Sequence, residues 1–254
     1  MSYVSGIDDG LVNVGPALGV AVAALAIIAI IVNHYGGAGL GAATARAALR
    51  AVIQLAALAA VLAVVITHLW SSLLFVAVMA SVASWTSAGR ITGCRATLTA
   101  TLRSLLPVAA ATIAIVALMV AIGVLPATGL AIIPTAGILF GGAMNTASLA
   151  GKRAHDELRT RHGEVEAALS LGFATRDARM EVVQTAAATA LIPGLDQTRS
   201  VGLVTIPGAF VGMVLGGAST TAAAVMQLFV LITLLVVSGI AAAITVEMVA
   251  RGDM

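Results

Sequence analysis

The chain has 254 residues, 60% of them apolar and only 9% charged, with a net charge of +2, whereas ordinary soluble domains run at about 45–50% and about 25%. A water-soluble fold of this size is excluded. The small positive excess sits at the ends of apolar tracts and forms no stripe for nucleic acid, and the single Cys94 builds neither a disulfide framework nor a Cys-x-x-Cys metal or redox pair within one chain.

Asp, Glu, Lys and Arg do not occur in residues 10–45, 51–89, 104–151 and 200–246. A helix needs about 20 apolar residues to cross the hydrocarbon, because backbone amides in lipid must be satisfied internally. Taken in chain order, the first tract holds one span, from Leu11 to about Tyr35, and then the turn Gly36-Gly37-Ala38-Gly39. Met1–Gly10 contain two acids and no base, so this helix reads as retained rather than as a cleaved leader. The second tract holds Ala51–His68 and Ser71–Ala88, and the third Leu105–Leu125 and Leu130–Leu149, broken at Pro126-Ala127-Thr128-Gly129. The fourth holds Val201–Gly217 and Thr221–Val246. If Asp196 and Arg199 pair inside the protein, the sixth span begins near Ala187 instead.

The fold class expected is therefore all-α, a polytopic membrane bundle of about seven transmembrane helices in one domain, 1–254, with no internal repeat. Every base falls on one side of that count, at Arg46 and Arg50, at Arg90, Arg95 and Arg103, in residues 152–199 and at Arg251. The rule that cytoplasmic loops are basic puts the N-terminus outside and the C-terminus inside a plasma or inner membrane. Residues 151–199 hold 14 of the chain's charged residues and form a cytoplasmic helical insertion, the natural docking surface. Within it, Arg176 to about Ala190 suits a helix lying at the membrane interface.

Within that insertion, Glu166-Ala167-Ala168-Leu169-Ser170-Leu171-Gly172 precedes a helical run that ends at Ile192-Pro193. A short helix of small side chains can enter a groove on a partner, and a glycine permits the positive-φ turn that ends it. The segment resembles the coupling loop of ATP-driven (ABC) transporter permeases, which implies an ATPase-coupling role for Glu164, Glu166, Ala167, Ala168, Leu169 and Gly172. The phosphate-cradling pattern Gly-x-x-x-x-Gly-Lys-[Ser/Thr] does not occur: before Gly151-Lys152 the required glycine is Thr146, and Arg153 follows. Nor is there a nucleophile, base and orienter set. The chain is thus expected not to be an enzyme and to carry no cofactor, with ATP and Mg held by a separate ATPase.

Further segments match the FetB-like permease family, which groups bacterial iron-export permeases with plant permeases linked to aluminium tolerance. These are Arg50-Ala51-Val52-Ile53-Gln54-Leu55, Gly141 with Met144-Asn145 and Ser148-Leu149, Glu164 to Gly172, Ala190-Leu191-Ile192-Pro193, Gly202-Leu203-Val204, Pro207-Gly208, Gly212, Gly216-Gly217 and Gln227. The resemblance runs from about Thr44 to Val249. It implies a permease that works as a homodimer with separate ATPase subunits and exports iron or another metal ion. The chain departs from the family at Ala209-Phe210, where two methionines are usual, and at Gly142, where an asparagine is usual.

Polar side chains are costly in lipid and tend to face the bundle. Gln54, Asn145, Ser148 and Gln227, with Met144, Met213 and the helix-breaking Pro207, are the pathway candidates, although interhelical or own-backbone bonding serves Gln, Asn and Ser equally well. Gly137 and Gly141, and Gly208, Gly212 and Gly216, recur every four residues, the pattern of closely approaching membrane helices. His34, His68 and the membrane methionines Met79, Met119, Met144, Met213 and Met226 form no pair at ligand spacing, so the metal ligands are unknown. The rival functions are an ABC permease for a small organic solute and a secondary transporter driven by an ion gradient, for which only Asp196, Arg199 and Glu247, at span edges, offer charge. The remaining partner is membrane lipid.

Overall fold

The computed structural model describes residues 15–37 and 39–254. The expected start of the first span at Leu11, the acidic Asp8 and Asp9, and Ala38 lie outside the described residues. Contacts divide the chain into two compact units, one ending at Val64 and the other comprising Val65–Met254.

The first unit is a helical hairpin of α1 (Pro16–Tyr35) and α2 (Gly41–Val65). Pro16 opens α1, where the missing N–H is an orphan in any case. Gly37 and Gly39 take φ of 84° and 63° in the connecting turn, a conformation glycine adopts freely. A Cβ on Gly41 would fall 2.7 Å from that of His34, so glycine is required for the hairpin to close. Asn33 Nδ2 donates to Thr44 Oγ1 at 3.0 Å and fastens the two helices. α2 begins ten residues before the expected Ala51, carrying Arg46 and Arg50 on its first turns.

The second unit is built on α3 (Leu69–Thr92), α6 (Gly129–Thr160), α8 (Thr175–Ser200) and α10 (Thr220–Arg251). α4 (Leu98–Leu105) and α5 (Ala111–Ala121) are joined through a π-helical turn, Leu106–Ala110, and make one crossing. Pro107 lies in that turn; proline has no N–H for the ladder, and an extra residue in the turn absorbs the misfit. The short helices α7 (His162–Ser170) and α9 (Gly208–Leu215) complete the unit.

Lipid tails are as apolar as leucine, so membrane helices are held by close packing rather than by the hydrophobic effect. The core accordingly mixes small and large residues: Ala80, Ala83, Ala136, Ala143, Ala147 and Ala241 lie among Val108, Leu139, Phe140 and Val237. A second cluster joins Ala150 and Ala154 of α6 to Val183, Ala186 and Ala190 of α8 and to Ala242, Val246 and Val249 of α10.

Among the described residues six helices are long and apolar enough to cross a membrane: α1, α2, α3, the α4–α5 run, α6 and α10. The sixth span, expected at Val201–Gly217, is not a continuous helix. α8 does not stop at Pro193 but runs on to Ser200, and Val201–Pro207 then leaves helical geometry, with Gly202 at φ 79°. Pro207 itself is extended, at φ −66° and ψ 141°, and a new helix begins only after it. α9 has eight residues and rises about 12 Å, too little to span the hydrocarbon by itself. Nor does Arg176–Ala190 lie flat at an interface: Ala178, Val182, Val183, Ala186 and Ala190 are buried, those of the later turns against α6 and α10. Asp196 and Arg199 do pair, at 3.5 Å, but on an exposed face.

Candidate functional site

The charged ends of α3, α4, α6 and α10 and the charged start of α8 come together. Ile91 at the end of α3 packs on Gly151 of α6, Arg103 Nη1 of α4 donates to the Asp253 carbonyl at 2.6 Å, and Glu247 near the end of α10 pairs with Arg176 at the start of α8. α6 and α10 have 32 residues each, about 48 Å, against a hydrocarbon core of about 30 Å, so both outrun the membrane. Residues 151–160 of the expected insertion continue α6, residues 175–199 form α8, and residues 161–174 connect the two.

There α7 is a built feature. Arg161 ends α6 and forks onto Glu164, Nε to Oε1 at 2.7 Å, with Glu157 3.7 Å from Nη1. The hydrogen bond from Arg161 is the first cause holding the Glu164 carboxyl below its ordinary range. At the other end Gly172, at φ 90°, lets Phe173 N–H reach the Ala168 carbonyl and Gly172 N–H the Leu169 carbonyl, both within 3.1 Å. That paired bonding is a Schellman closure, which a residue with a Cβ would strain. Val165 and Ala168 seat the helix on Ala178 and Val182 of α8. The opposite face presents Glu166, Ala167, Leu169 and Ser170, and beyond it Leu171 is 80% exposed and Phe173 half-exposed.

A clamp connects α8 to the bundle. Arg176 donates to Glu247, which also accepts from Arg251 Nε at 2.7 Å, while Arg176 Nη1 reaches Asp177 at 2.8 Å. Nothing in the spacing of Arg176 and Glu247 announces this contact, although both residues flank apolar runs.

The pathway candidates separate. Pro207 and Gln227 line one cavity of about 400 Å³ at the break between α8 and α9, together with Phe210, one of the departures from the family pattern. Gln227 is 8% exposed and its Oε1 has no partner. Asn145 lies on an exposed face of α6 and accepts from Arg90 Nη1 at 2.9 Å, so Arg90 is a neighbour that sequence reading missed. Ser148 is buried, donating to the Met144 carbonyl at 2.6 Å and to Ser87 Oγ at 3.3 Å, which joins α6 to α3 rather than lining a cavity. Met144 packs at the edge of the core, Met213 is half-buried on α9, and Gln54 is exposed on α2 in the other unit.

The glycine seams also move. Gly137 does meet α3, its would-be Cβ 2.9 Å from Met79 Cε. Gly141, Gly208 and Gly212 have nothing within 4 Å, and Gly216 meets only carbonyls of its own α9. The close approaches are at Gly129, Gly142 and Gly151, whose would-be Cβ atoms fall 2.1 Å from Ser72 Oγ, 2.2 Å from Leu234 Cδ1 and 2.8 Å from Ile91 Cγ1. Four-residue spacing marks a smooth face but does not say what faces it.

Among the described residues no group of three or more His, Cys, Asp or Glu is placed to hold a metal ion.

No solved structure matches the chain. Curated relatives do. Protein ALUMINUM SENSITIVE 3 of Arabidopsis thaliana is 39% identical over 114 residues, 45% of this chain and 42% of the relative. The UPF0014 membrane protein STAR2 of Oryza sativa subsp. japonica is 38% identical over 115 residues, 45% and 40%. The protein described as "Probable iron export permease protein FetB" of Escherichia coli (strain K12) is 30% identical over 104 residues, 41% and 40%. The matched stretch thus spans about two fifths of each of these relatives. The family model itself reaches much further: residues 17–252 match that of the uncharacterised protein family UPF0014, and this multi-pass membrane protein belongs to that family.

Proposed function

We propose that the chain is the membrane subunit of an ATP-driven transporter, with α7 as the element that docks into a separate ATPase. The observation that carries this reading is the apolar surface of Leu169, Leu171 and Phe173 on a short, doubly closed helix beyond the ends of the long membrane helices. Surface of that kind in water, next to charge, is what a protein partner covers. α7 is packed onto α8 by Val165, and α8 is clamped to α10 through Arg176 and Glu247, so a push on α7 has a mechanical route into the bundle. The side bearing α7 is cytoplasmic in this reading, which puts the C-terminus inside; α8, 26 residues long and packed along α6 and α10, carries the chain back across as a seventh crossing, so the N-terminus is outside, and two copies of the chain form the pathway. The printed name of the Escherichia coli relative supports iron or another metal ion as cargo, moved outward.

The test is reconstitution of the chain with its cognate ATPase in sealed vesicles. ATP hydrolysis should be stimulated by the membrane subunit, and iron flux should stop when ATP is withheld. Flux that continues without ATP would reject the assignment in favour of an ion-gradient transporter.

A further inference from the structure

The cavity at the α8–α9 break has a chemistry of its own. Val201, Ile206, Phe210, Leu228 and Leu231 form its walls, and no lining residue carries an ionisable side chain. A charged ligand entering it would give up hydration with no charged group in the lining to repay it. At about 400 Å³ it is of the size that holds a small organic molecule.

Two polar features face this apolar chamber. Gln227 is more than nine-tenths buried, yet its Oε1 finds no donor among the described residues. A buried polar atom without a partner destabilises the fold, and such atoms are in general satisfied by a protein group, a water or a ligand. The carboxamide turns readily about its terminal bond and can present either oxygen or nitrogen to an occupant. The second feature is the start of α9. Its N-cap, Pro207, supplies no side-chain acceptor, so the first backbone N–H groups after Pro207 are left without helical partners at the cavity edge.

Gln227 precedes Glu247 by 20 residues on one helix, a rise of about 30 Å, so the cavity sits a bilayer thickness away from the charged end that bears α7. It therefore lies at the opposite end of the bundle from the coupling helix, near the exposed Asp196 and Arg199 of α8.

We infer that this cavity binds an uncharged small molecule with an apolar body and a hydroxyl or amide group, which Gln227 recognises by a hydrogen bond. The inference rests on the cavity and not on ATP coupling, and its test uses the permease chain alone.

The full chain is placed in lipid nanodiscs and titrated with 4-fluorophenol, 4-fluoroanisole and 4-fluorobenzoate at neutral pH, observed by fluorine NMR. 4-Fluorophenol should show saturable binding, and the methyl ether, which has no donor, should bind about five-fold more weakly, the worth of one hydrogen bond. The benzoate anion should not saturate. Gln227→Leu should bring the phenol down to the level of the ether, and Phe210→Trp, which fills the chamber, should abolish both. The inference is overturned if the phenol does not saturate, if the anion does, or if neither substitution changes the phenol. That last result would place the probe in lipid.

Discussion

Arg176 Nε lies 3.1 Å from Glu247 Oε1 and joins the first turn of α8 to the last turns of α10 across 71 residues of sequence. Both partners are partly exposed, and ion pairs in such positions contribute little to stability. Their value lies in geometry: a fork onto one carboxylate fixes where α8 starts, and with it where α7 points.

Glu247→Gln should therefore leave the melting temperature within a few degrees of wild type while the ATP consumed per ion transported rises about five-fold or more, the usual scale of coupling between sites. Arg176→Lys, which keeps the charge and loses the fork, should fall in between. Reconstituted vesicles assayed for hydrolysis and flux together decide this; unchanged stoichiometry would remove the clamp from the route.

Gly172→Val places a β-branched residue at φ 90° and opens the turn that closes α7. Membrane insertion should be normal, since α7 lies outside the long helices, but stimulation of the ATPase should be lost. Glu166→Arg, on the exposed face, should weaken docking without altering the fold. Co-sedimentation of ATPase with proteoliposomes separates the two effects.

Gly151→Ala and Gly212→Ala make a matched pair. The first pushes a methyl group against three atoms of Ile91, all within 3.0 Å, and a β-branched side chain has little freedom to swing away. Overpacking of that kind costs about 1–3 kcal/mol. At Gly212 nothing lies within 4 Å, so alanine should be neutral or gain up to about 1 kcal/mol from helix propensity. Thermal unfolding in one detergent compares them; a larger loss at Gly212 would mean that a second copy packs on α9.

Arg161 holds the Glu164 carboxyl below its ordinary range. A depressed carboxylate contributes fully above its unfolded value and loses that contribution as pH falls through the folded one. Coupling through α7 should thus be flat between pH 6 and 8 and decline only in acid, with Glu164→Gln removing the acid limb. A limb that persists in the variant, read from the pH profile of ATPase stimulation, would point to another group.

Much of this architecture was legible in the chain itself. Apolar tracts free of charge dictate membrane helices whatever their neighbours, because no other local structure satisfies the backbone in lipid. The Glu-Ala-Ala run closing on Gly172 likewise specifies a short terminated helix from local chemistry alone. The same reasoning misplaced the sixth span because hydropathy does not distinguish a helix from an extended stretch. Pro193 and Pro207 look alike in sequence, yet one is carried within α8 and the other starts α9.

What only the tertiary structure decided are the relationships between distant residues. Which glycines are close-packed, that Asn145 belongs with Arg90, that Gln227 faces an apolar cavity beside Pro207 and Phe210, and that Glu247 holds Arg176 all depend on how helices are rotated and staggered against one another. A helix of small and apolar residues presents several nearly equivalent faces, so its own sequence sets no preference among them. Packing against the other helices makes that choice.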